Sequence, residues 1–127
     1  MARILIVDDN IYFARLVASQ LTRLGYAVRV MVVGEELVDL LRSEHYDLLI
    51  MELLLQGQDG LSLLRAISCS TFSYLRVLIV SHRTGYVEQL RVAEYAANFL
   101  SKPVDLHYLL EQVPLLLNRD LQSGISL

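Results

Sequence analysis

Residues 46–60 read Tyr46-Asp47-Leu48-Leu49-Ile50-Met51-Glu52-Leu53-Leu54-Leu55-Gln56-Gly57-Gln58-Asp59-Gly60. Leu48 to Met51 is continuously apolar and too short for a helix, so it reads as a strand buried on both faces. It is the most apolar run in the chain, which predicts a central position. An acid, Glu52, ends it, and Asp59-Gly60 turns the chain towards a helix running to about Ser68.

The same cadence repeats in both directions. Arg3 to Val7 is a second buried strand, ended by Asp8 and Asp9. Asn10 can cap a helix from Ile11 to about Leu24, stopped by Gly25. Ala27 to Val33 is a valine-rich strand, and Gly34 opens a helix to about Ser43 with Leu37, Val38, Leu40 and Leu41 on its apolar face. Further on, Arg76 to Val80 is a strand ended by Ser81. A helix follows from about Tyr86 to Tyr95, then a short strand from Asn98 to Ser101. Asp105 can cap a last helix that Pro114 is expected to kink or end, at a cost of roughly 3 kcal/mol.

Five strand–helix units about 20–25 residues apart require crossover helices and hence a parallel sheet. The expected fold is α/β, a doubly wound five-stranded parallel sheet of the flavodoxin-like kind. Ligands of such sheets bind beyond the carboxyl ends of the strands. Asp8, Asp9, Glu52, Ser81 and Lys102 all follow or end a predicted strand, so that rule groups them. Three carboxylates gathered there repel one another unless a cation intervenes, and Mg²⁺ suits such oxygens.

At 127 residues the chain is long enough to bury a core as one domain. Residues 1–118 are expected to form it, with 119–127 a polar tail or the start of a linker. Apolar residues make up 54%, enough to suggest partner surfaces beyond the core. No apolar run reaches the roughly 20 residues that span a bilayer, and no secretory signal opens the chain. Net charge is −3 with scattered bases, which argues against direct nucleic-acid binding. The single cysteine, Cys69, fits a reduced, cytoplasmic setting. Ten of the eleven basic side chains are arginine, and Lys102 is the only lysine. A compact ammonium at that one point suggests chemistry an arginine fork does not serve.

Asp8-Asp9, the acid ending the central strand, Asp59-Gly60, Ser81 and Lys102-Pro103 occur in an order that resembles the receiver domain of two-component response regulators. The resemblance covers nearly the whole chain. It implies a non-catalytic, cytoplasmic signalling module with a histidine kinase, an effector domain or another protein as partner. It also implies a phosphoacceptor at position 52, Mg²⁺ on Asp8, Asp9, residue 52 and the main-chain carbonyl of Leu54, and a switch formed by Ser81, Phe99 and Lys102. In that family position 52 is an aspartate. Here it is glutamate, whose extra carbon shifts the carboxylate by about 1.5 Å into the space of a transferred group. In-line transfer needs reacting atoms aligned about 3–3.5 Å apart, so the expected domain works without phosphorylation, with Glu52 meeting Lys102 directly.

Other departures point the same way. Gln56 replaces a usual proline and predicts a less rigid loop, His82 replaces a small residue, and Tyr95 stands where glycine is usual. On the fourth and fifth helices, Tyr86, Val87, Leu90, Tyr95, Tyr108 and Leu115 cannot all face the core. The resemblance implies that this face dimerises or docks a partner, with Arg83, Arg91, Glu88, Glu94 and Glu111 as rim charges. The alternatives are a conventional Mg²⁺-dependent receiver, with Glu52 introduced by design or another acid such as Asp59 accepting phosphate, and a small-ligand binder at the sheet edge. No glycine-rich phosphate loop or nucleophile elbow supports the last.

Overall fold

The structure, a computed structural model, describes residues 1–68, 74–83, 85–95 and 97–118, with Tyr86 by its backbone alone. The Cys69 position and the 119–127 tail lie outside the described residues. Strands β1 (Arg3–Val7), β2 (Ala27–Met31), β3 (Leu48–Met51), β6 (Arg76–Ser81) and β7 (Asn98–Ser101) form one sheet in the order β2-β1-β3-β6-β7. All four pairings are parallel. Helices α1 (Ile11–Arg23), α2 (Leu37–Ser43), α3 (Gly60–Ser68), α4 (Tyr86–Glu94) and α5 (Leu106–Leu117) cover it. A two-residue pair, β4 (Leu54–Leu55) with β5 (Gln58–Asp59), runs antiparallel in a separate small sheet.

Strand alternation sorts the core into two layers. Leu5, Val7, Leu49, Met51, Val77 and Ile79 pack towards α2, α3 and α4 with Leu37, Leu64 and Val92. Ile4, Ile6, Leu48, Ile50, Leu78 and Val80 pack towards α1 and α5 with Val17, Leu21, Leu109 and Val113. Every residue of β3 is buried, as its unbroken apolar run requires. Each such side chain contributes roughly 1.5–3 kcal/mol of transfer free energy.

Local chemistry sets the ends of the elements. The Asn10 side chain accepts the Phe13 N–H and starts α1. Gly25 takes φ +100° just past its end, a conformation that favours glycine. Asp105 accepts the N–H groups of His107 and Tyr108 to start α5. Gly60 is required for a different reason. A Cβ there would stand 2.4 Å from the Leu53 Cα and 2.5 Å from its carbonyl oxygen, so only a bare Cα lets α3 begin against the end of β3.

Four expectations need correction. β2 stops at Met31, because β1 has no residue beyond Val7 to continue the register, and Val32 and Val33 are exposed. α2 begins at Leu37, not Gly34. Pro114 neither ends α5 nor lies at its edge; three more helical residues follow it. The ring sits on the exposed side, while Val113 and Leu116 remain in the core on either side of it. The stretch from Glu52 to Asp59 is a tied hairpin rather than a plain loop.

Candidate functional site

The sheet topology delivers five predicted polar residues to one edge. Asp8 follows β1, with its N–H on the Met31 carbonyl, and Glu52 follows β3, with its N–H on the Val7 carbonyl. Ser81 ends β6, and its carbonyl accepts the N–H of Lys102, which follows β7. Asp8, Glu52 and Ser81 are buried, and the Lys102 side chain is 6% exposed. Asp9 is exposed at the rim.

Lys102 is the centre of the cluster. Its Nζ lies 2.7 Å from Asp8 Oδ2 and 3.2 Å from Glu52 Oε1. The Phe13 ring, on the first turn of α1, covers the same ammonium with its centroid 4.5 Å away. The other Glu52 oxygen, Oε2, folds back to accept the N–H groups of Leu53 at 2.6 Å and Leu54 at 3.1 Å. Burial pushes the Glu52 carboxyl up, but the Ser81 hydroxyl, the Leu54 N–H and Lys102 outweigh it. The group titrates below the ordinary glutamate range and stays ionised.

The rim completes the arrangement. The Ser81 Oγ accepts the Arg83 N–H at 3.0 Å. The His82 N–H approaches Glu52 Oε1 at 3.4 Å, and its ring Nδ1 lies 3.6 Å from that oxygen with the side chain largely exposed. Gln56 N–H donates to Asp9 Oδ2 at 3.0 Å. A proline at position 56 would lack this donor. Asp59 is exposed and holds the Leu61 N–H and the Ser62 hydroxyl at the start of α3.

As arranged, these oxygens do not fit the Mg²⁺ site that the resemblance implies. An octahedral ion needs oxygens at about 2.0–2.1 Å, and the Lys102 ammonium stands between the Asp8 and Glu52 carboxylates. Asp8 Oδ1 accepts the Asn10 N–H, and Asp9 is held by Gln56. Among the described residues no three acidic, histidine or cysteine side chains gather closely enough to share a metal ion.

Phe99 is half-buried against the α2–α3–α4 core layer. On the α4–α5 face, Val87, Leu90, Tyr108 and Leu115 are exposed, and the Tyr86 side chain lies outside what is described. Tyr95 departs from the expected surface, since it is half-buried and packs on the same core layer as Phe99. Of the expected rim charges, Arg83 pairs with Glu88 at 3.5 Å and Glu111 with His107 at 2.9 Å, while Arg91 and Glu94 form no ion pair with any of the described residues. Phe13, the Gln56 N–H and the reach of Arg83 escaped the sequence reading. Only Phe13 carried a signal, lying four residues after Asp9 and so one helical turn from the site.

Among the described residues, no helix is long and apolar enough to cross a membrane. The sequence profile described as response regulator receiver domain matches residues 4–114. The response regulator ArlR of Staphylococcus aureus is 29% identical over 126 residues, which are 98% of this chain and 57% of that protein. The chain thus spans little more than half the length of the curated relatives it matches. Among solved structures, a CheY-like receiver domain protein from Methanospirillum hungatei superposes with a TM-score of 0.87 at 23% identity, covering 98% of this chain and 99% of that one. A response regulator protein from Burkholderia pseudomallei, solved with a phosphorylated aspartic acid, calcium ion and citrate, superposes with a TM-score of 0.79 at 27% identity. That match covers 98% of this chain and 72% of the other.

Proposed function

The chain belongs to the response regulator receiver domain family, and on that premise we propose that it is a receiver that signals through protein contacts without being phosphorylated. The carrying observation is the contact of Glu52 Oε1 with Lys102 at 3.2 Å, made while Oε2 is engaged by two backbone N–H groups. Glu52 supplies a permanent negative group next to Ser81 and Lys102, where a transferred phosphoryl group would otherwise supply one. The Lys102 ammonium is a counter-charge shared by Asp8 and Glu52, which offsets one of the two buried negative charges. The relative from Burkholderia pseudomallei carries its phosphate on an aspartic acid, a residue one carbon shorter than Glu52.

Output runs through the face of α4 and α5, where Val87, Leu90, Tyr108 and Leu115 form an exposed apolar set. It serves a second copy of the chain or a protein partner, such as an effector domain or histidine kinase. The domain is non-catalytic and cytoplasmic in this reading.

Incubation of the wild-type chain and Glu52→Asp with acetyl phosphate and Mg²⁺ tests the proposal. The wild type is expected to gain no phosphoryl group by intact mass, while the aspartate variant is labelled. Stable labelling of Glu52 overturns the reading, and labelling at Asp59 favours the conventional alternative instead.

A further inference from the structure

Three of the ten arginines converge on one groove outside the acidic pocket. It lies between α3 and α4, has a volume of about 350 Å³, and is lined by Arg65, Arg83, Arg91, Ser62, Val87 and Tyr95, together with Asp59 and Glu88. The two carboxylates do not leave the groove acidic. Both are engaged by Arg83, with Nη1 3.4 Å from Asp59 Oδ1 and Nε 3.5 Å from Glu88 Oε1. Arg65 and Arg91 are exposed and form no ion pair with any of the described residues. Three guanidiniums thus meet two carboxylates, leaving an excess of positive charge in a concave site on a chain whose net charge is −3.

The geometry points to a binding site for a small phosphate-bearing anion in the α3–α4 groove. The planar forks of Arg65 and Arg91 match phosphate oxygens in pairs, while the Ser62 hydroxyl already donates to Asp59 Oδ2 at 3.0 Å. Leu61, Val87 and the half-buried Tyr95 side chain give the rest of the ligand a small apolar wall, in a groove more polar than most small-molecule sites. Arg83 connects the groove to the acidic pocket. Its side chain lines both the groove and the mouth beside Asp9 and Leu54, and its N–H is held by Ser81 Oγ. A ligand that draws Arg83 from Asp59 therefore acts on the residue that follows His82, next to Glu52. The groove takes this ligand whether or not Glu52 accepts phosphate, so the labelling result bears on one claim and not the other.

The test is an amide-resolved NMR titration of the whole chain with pyrophosphate and with adenosine monophosphate, at ionic strength matched with sodium chloride. Saturable shifts are expected along Ser62 to Arg65 and Val87 to Arg91, with smaller ones at Ser81 and Arg83. The double variant Arg65→Gln, Arg91→Gln changes two exposed side chains and should fold normally. Its affinity should fall on the order of tenfold or more, as for loss of charge-assisted contacts. Shifts that do not saturate, that chloride alone reproduces, or that persist with equal affinity in the double variant overturn the proposal.

Discussion

Replacing Lys102 with methionine keeps most of the apolar stem and removes the charge between two buried carboxylates. The Asp8 and Glu52 side chains are each 3% exposed, so water does not replace the lost ammonium. Removing one member of a buried pair costs about 3–5 kcal/mol, against at most about 1 kcal/mol for an exposed pair. Protonation sets a ceiling on that loss. A carboxyl with an ordinary value near 4.3 takes up a proton near pH 7 for about 3.7 kcal/mol, and near pH 5 for about 1 kcal/mol. Loss of stability is therefore expected at about 3–4 kcal/mol at neutral pH, shrinking towards about 1 kcal/mol near pH 5. The wild type behaves in the opposite sense. Its Glu52 carboxyl is depressed, so that contribution is full above the unfolded carboxyl's value and is lost as pH falls through the folded one. Urea unfolding of both proteins across this range measures the difference, with a neutral-pH Tm shift of roughly 10–20 °C as a second reading. A neutral-pH loss under about 1 kcal/mol, or a loss unchanged by pH, would refute the view of Lys102 as the pocket's counter-charge.

Phe13→Leu removes the ring over Lys102, a contact worth about 1–2 kcal/mol when desolvated. Because Lys102 is the only lysine, amine-reagent labelling read against the N-terminus should show its side chain reacting on the order of tenfold faster; an unchanged ratio counts against the ring's role. Gly60→Ala places a methyl against the Leu53 backbone and should cost about 2–3 kcal/mol in urea unfolding, whereas a neutral result would contradict the close approach. Tyr108→Glu puts a charge on an exposed residue of the α4–α5 face and, on the proposed use of that face by a second copy, should lower the mass read by light scattering to that of a monomer. An unchanged mass would remove that face from self-association.

Strand–helix alternation and the strand-end rule made the sheet legible without any coordinates. β1, β3, β7 and α3 fall on the residues expected, because each is an apolar run bounded by a polar or glycine stop. The misses have local causes. Val32 and Val33 have strand-forming side chains, yet β2 ends where its partner does. Pro114 breaks the helix pattern in sequence, while the packing of Val113 and Leu116 carries α5 through it. The β4–β5 pair is only two residues on each side of Gln56-Gly57, too short for alternation to register.

At the site, the sequence named Asp8, Glu52, Ser81 and Lys102 because each ends or follows a strand. The Phe13 roof depends on the angle at which α1 leaves β1, and the Gln56–Asp9 contact spans 47 positions. Neither leaves a periodic trace. Helical spacing puts Tyr95 on the surface, but it caps the end of α4 and packs half-buried against the core.

The most direct measurement is a crystal structure grown with Mg²⁺ and beryllofluoride. The expected result is no beryllofluoride beside Glu52, with Lys102 still bridging that carboxylate and Asp8. A fluoride adduct on the Glu52 carboxylate, with Mg²⁺ held by Asp8 and Asp9 and Lys102 turned to the fluorides, would contradict the claim that the protein's own side chain fills the phosphoryl position.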